Sequence, residues 1–106
     1  MGQRRARRFQ LQLPLSITRS GAERVALPGL TKNISSRGVL FTAETEPCLG
    51  RTIEYVITLN QDGPRAVSLH CIGTVMRAEP AEGSLNDKAA FQIAATLDRY
   101  EFVRES

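Results

Sequence analysis

The feature that most constrains this chain is a recurring period of two. In "LQLPLSIT", Leu11, Leu13, Leu15 and Ile17 fall on one side of an extended backbone, with Gln12, Pro14, Ser16 and Thr18 on the other. Successive side chains of a strand point to opposite faces, so this spacing describes a half-buried strand. Pro14 on the outer face suits an edge position. "TIEYVITL" repeats the pattern, setting Ile53, Tyr55, Ile57 and Leu59 against Thr52, Glu54, Val56 and Thr58. The run from Ala66 to Arg77 keeps Val67, Leu69, Cys71, Gly73 and Val75 in phase. "AAFQIAATL" does the same with Phe91, Ile93, Ala95 and Leu97.

Two further strands fit between these segments. One runs from about Val25 to Ile34, with Pro28-Gly29 predicting a bend or bulge. The other is "VLFTAE", following the loop "SSRG". "RSGAE", "EPCLG" and "NQDGP" supply turns, and "AEPAEGSLNDK" a polar loop. Near the end Asp98 has Glu101 three residues later, a capping-box spacing, and Leu97 and Phe102 sit where a hydrophobic staple would close. These predict a helix of about two turns from Arg99. Six short strands describe a small sandwich or barrel, and closure into a barrel removes the exposed edges. The expectation is an all-β, six-stranded antiparallel β-barrel with a short C-terminal helix. It divides into a flexible Arg-rich arm (1–10), the barrel (11–97) and the helix (98–106).

At 106 residues the chain is one small domain, and its charge is unevenly placed. Fourteen basic and eleven acidic residues give +3, but Arg4, Arg5, Arg7 and Arg8 fall within the first eight positions. Fourteen less those four leaves ten basic against eleven acidic, a body of net −1. A broad nucleic-acid face would spread Lys and Arg over the folded surface, so a single-strand-binding barrel is disfavoured. The aromatic fraction of 6%, without tryptophan, also leaves few stacking platforms for bases. Cys48 and Cys71 are too few and too far apart for a disulfide framework or metal site, which points to free thiols and a cytoplasmic protein. No apolar run is long enough to span a membrane.

Catalytic candidates are thin. His70 is the one histidine and is out of phase with the core, whereas Cys71 is in phase and reads as a small core hydrophobe. No close carboxylate pair suggests acid–base work, and no glycine-rich fingerprint precedes a helix. The chain is expected to be no enzyme and to need no metal or cofactor. Two features remain: the leading arginines and "NISSRG". In the latter Asn33, Ser35 and Ser36 carry donors and acceptors, and Gly38 is free to take a positive φ and bring backbone close to a ligand.

Taken together, these residues resemble the PilZ domain family, which binds the bacterial second messenger cyclic di-guanylate (cyclic di-GMP). The family's RxxxR motif is matched by Arg4 to Arg8, and its [D/N]xSxxG motif by Asn33-Ile34-Ser35-Ser36-Arg37-Gly38. "CIGTVMR" and "AAFQIAATLDRYE" resemble later family strands, so the likeness covers nearly the whole chain. It implies a ligand held between Arg4, Arg5 and Arg8 on one side and Asn33, Ser35 and Gly38 on the other. Arg7, Ser36 and Arg77 are secondary candidates. Arginine suits this ligand because it forks onto phosphates, binds guanine O6 and N7, and stacks on bases. Gln3 stands where the family tunes binding of one ligand or an intercalated pair. With no output domain in the sequence, the resemblance implies a protein partner for output. A relative without ligand binding, acting as an adaptor, would fold alike.

Overall fold

The computed structural model describes residues 12–60, 66–81 and 90–104. Seven strands occur among them: β1 (Pro14–Ser20), β2 (Glu23–Ile34), β3 (Gly38–Ala43), β4 (Thr52–Asn60), β5 (Val67–Pro80), β6 (Phe91–Thr96) and β7 (Arg99–Arg104). All pairings are antiparallel. The order β4-β1-β2-β3-β6-β5 closes on itself through a β4–β5 pairing, which makes a six-stranded barrel. β7 is attached outside this ring, beside β5.

The period-two positions fill the barrel. Leu15, Ile17, Phe41, Ile53, Tyr55, Ile57, Leu69, Cys71, Val75 and Ile93 are all buried. Each such side chain contributes about 1.5–3 kcal/mol relative to exposure. Phe41 and Tyr55 stack at the centre with ring centroids 6.0 Å apart. Among the described residues Thr31 is the buried polar one; its Oγ1 accepts from the Leu13 N–H at 2.9 Å, so its hydroxyl is not an orphan in the core. Charged groups remain outside, as in the Arg19–Glu54 pair at 3.5 Å. That pair is well exposed and worth under about 1 kcal/mol.

Three expectations are corrected. Pro14 is not on an edge strand, because β1 pairs with both β2 and β4. It is tolerated as the first residue of its strand, before the β4 pairing begins at Leu15. The irregularities in β2 lie between Thr31 and Asn33, against β3, and between Arg24 and Leu27, against β1, rather than at Pro28-Gly29. β3 reaches only to Gly29, so at Pro28 one side of β2 has no strand to bond.

The third correction concerns the end of the chain. Arg99 to Arg104 form β7 instead of a helix, and no helix occurs among the described residues. β5 has 14 residues and β6 only 6. β6 pairs with the second half of β5, leaving Val67–Ile72 with a bare side that β7 occupies. A two-turn helix barely recovers its nucleation cost. A ready-made strand edge offers a full ladder of backbone bonds. The ladder wins over the cap.

Candidate functional site

The loop joining β2 and β3 is built around Ser35. Its Oγ accepts from the N–H groups of Arg37 (3.2 Å) and Gly38 (3.3 Å), and its own N–H donates to the Gly38 carbonyl at 2.9 Å. The hydroxyl thus substitutes for a backbone acceptor and tightens the turn. The Arg37 carbonyl accepts from Leu97 N–H at 3.0 Å, tying the loop to the end of β6.

Gly38 is needed here for a different reason from the one expected. Positive φ occurs at Gly21 and Gly50, not at Gly38. A Cβ on Gly38 would lie 2.6 Å from the Ala95 carbonyl oxygen, so its bareness lets β3 and β6 approach. The close partner of Gly38 is the chain's own backbone.

Two register shifts flank this loop. One lies between Thr31 and Asn33 on β2, the other between Val75 and Arg77 on β5. Each inserts an extra residue, Lys32 and Met76 respectively, and such bulges redirect the side chains that follow. Asn33 and Arg77 therefore come to line one open groove of about 310 Å³, together with Ser35, Arg37, Gly38, Met76 and Thr96. Its lining includes two guanidinium-bearing residues and no carboxylate. Arg77 is exposed there, and Met76 keeps 58% of its surface open.

Of the candidate residues, Asn33, Ser35, Gly38 and Arg77 are brought together. Ser36 is exposed at the loop and is not part of the groove lining. Arg4, Arg5, Arg7 and Arg8 lie outside the described residues. Sequence reasoning missed Arg37, Met76 and Thr96. Arg37 was visible inside the quoted motif. Met76 had no signal, since its place depends on a bulge.

A larger depression, about 510 Å³, lies against β4, β5 and β7, where Glu54, Asp98 and Glu101 join His70, Arg99 and Tyr100. Three carboxylates make it a poor seat for an anion. Among the described residues no cluster of His, Cys, Asp and Glu is placed to hold a metal. None of them forms a helix long and apolar enough to cross a membrane. Cys71 is buried, and burial pushes its thiol up to about 12.

No curated protein and no solved structure matches the chain significantly. A family model, the PilZ domain, matches residues 2–102, a span that includes both the leading arginines and the groove-forming loop. With that match over nearly its whole length, the chain belongs to the PilZ domain family.

Proposed function

We propose that this chain is a cyclic di-GMP receptor of bacterial second-messenger signalling, acting in the cytoplasm and delivering its output through a protein partner. Arg4, Arg5 and Arg8, with Arg7 beside them, clasp the dinucleotide from the leading segment. Asn33, Ser35 and Gly38, with Ser36 and Arg77, meet it from the barrel. The observation that carries this reading is the groove itself, which has arginines and small polar groups in its lining and no carboxylate. The family match supports it by spanning both motifs.

The chemistry suits a dianion carrying two guanines. Guanidinium groups fork onto phosphate oxygens and stack on bases, and the neutral amide of Asn33 both donates and accepts. Each leader residue that binding fixes costs roughly 1–2 kcal/mol in backbone entropy. Net affinity is therefore expected near micromolar, about −8 kcal/mol.

Isothermal titration with cyclic di-GMP tests the proposal. Micromolar binding that weakens by about 1–3 kcal/mol in Arg8→Ala is the expected result. Salt dependence should be shallow, with a slope no steeper than about −1.4 for two phosphates. Absence of heat favours an adaptor that binds protein alone. A much steeper slope with single-stranded nucleic acid favours a nucleic-acid barrel.

A further inference from the structure

β7 is bonded on one side only among the described residues. It pairs with β5, and it ends the strand order. Its other side is a row of backbone donors and acceptors open to a further strand. The faces of β7 are equally unfinished. Tyr100 lies opposite Cys71 and Phe102 opposite Leu69, and both of those β5 residues are buried in the barrel. Tyr100 and Phe102 are nevertheless 58% and 66% exposed, and their rings meet edge to face at 6.3 Å. β7 thus carries the core-facing side of the sheet past the closed wall and leaves two aromatic rings uncovered.

The first three residues of β7, Arg99-Tyr100-Glu101, are complementary to themselves when run antiparallel. In a symmetric pair of identical strands the two-fold axis passes through one residue, which faces its own copy. With the axis at Tyr100, Arg99 lies opposite the partner's Glu101, and Glu101 opposite the partner's Arg99. Tyr100 stacks on the partner's Tyr100, with each Phe102 on the adjoining diagonal. With the axis at Glu101, two carboxylates oppose each other, which is destabilising. With the axis at Phe102, Glu101 faces Val103 and no ion pair forms. Charge selects the first arrangement.

We propose that β7 is a homodimerisation edge: two copies join antiparallel about an axis at Tyr100, with reciprocal Arg99–Glu101 pairs, forming an isologous interface. Both barrels then share one continuous sheet, and the exposed rings of each copy meet on one face.

Sedimentation velocity on the full chain, across a concentration series and without ligand, tests this. The wild type should be a dimer in the micromolar range. Glu101→Arg and Arg99→Glu should each weaken it about tenfold, because like charges then face each other twice. The Arg99→Glu/Glu101→Arg double exchange should restore it. If a single variant fails to fold by circular dichroism, salt supplies the second readout, since the wild-type dimer must weaken as ionic strength rises. A wild type that stays monomeric overturns the proposal and leaves the edge to a different partner. So does a dimer indifferent to Glu101→Arg or to salt, or a double exchange that fails to recover.

Discussion

The Tyr55 hydroxyl on β4 donates to the Thr96 carbonyl on the last residue of β6, at 2.9 Å across the barrel. The same carbonyl lies against Gly73, where an added Cβ would overlap it. The Thr96 Oγ1 also accepts from the Thr74 N–H at 2.8 Å. Thr96 borders the candidate groove, and three residues later the chain enters β7. One residue thus joins the core, the groove and the terminal strand.

Tyr55→Phe keeps the ring against Phe41 and removes only the bond to Thr96. It should cost about 1–2 kcal/mol, read as a lower urea midpoint with an unchanged slope. An unaltered midpoint would show that water replaces the hydroxyl at no cost.

Stability should fall at alkaline pH. Burial, then the charges of Cys71 and Asp98, hold the Tyr55 hydroxyl well above its usual range, and burial pushes the Cys71 thiol up to about 12. Both are neutral in the folded protein where the unfolded chain would already ionise. The unfolded state then binds fewer protons, so stability is fully present below about pH 9 and declines toward pH 12. Urea midpoints measured from pH 7 to 11 check the sign, and Cys71→Ala should flatten the decline.

Thiol labelling should separate the two cysteines. Cys48 is exposed and Cys71 buried, both unpaired. A colorimetric disulfide reagent at pH 8 should titrate one thiol quickly in the native protein and the second only on unfolding. Two fast thiols would mean that the β4–β5 wall opens readily.

Gly38→Ala should destabilise by about 1–3 kcal/mol, because the neighbouring Ala95 carbonyl belongs to a paired strand and has little room to retreat. Gly73→Ala should cost more, since its Cβ would overlap the Thr96 backbone. Thermal melts of both variants give the ranking. A neutral Gly38→Ala would require β3 and β6 to separate freely.

Within the groove, Arg37→Ala and Arg77→Ala should each weaken cyclic di-GMP binding by about 1–3 kcal/mol. Arg24→Ala, near the opposite end of β2, should leave it unchanged and serves as the charge control. Ser35→Ala should lower stability by about 1 kcal/mol even without ligand, since its Oγ holds the turn. Calorimetry on the four variants separates contacts with ligand from support of the loop.

Alternation identified four strands and the face that each would bury, and the two between them, β2 and β3, were placed without a face. Ile53, Tyr55, Ile57, Cys71 and Ile93 are inside, and His70 is outside, as their phase required. That much is local, because backbone pleating fixes which way each side chain points before any partner is chosen. The serine-bearing motif is contiguous in the chain, and its Asn33, Ser35 and Gly38 line the groove, whereas the arginine motif lies outside the described residues.

What depended on partners was not legible. Residues 99–104 carry a good helix cap, yet the uncovered half of β5 turned them into a strand. Gly38 looked like a residue for positive φ, and only the nearness of β6 explains it. Arg77 and Met76 reach the groove through a register shift set by pairing between distant segments. Local sequence fixes direction; neighbours fix register, edges and the shape of the site, because those arise from backbone bonds between strands far apart in the chain.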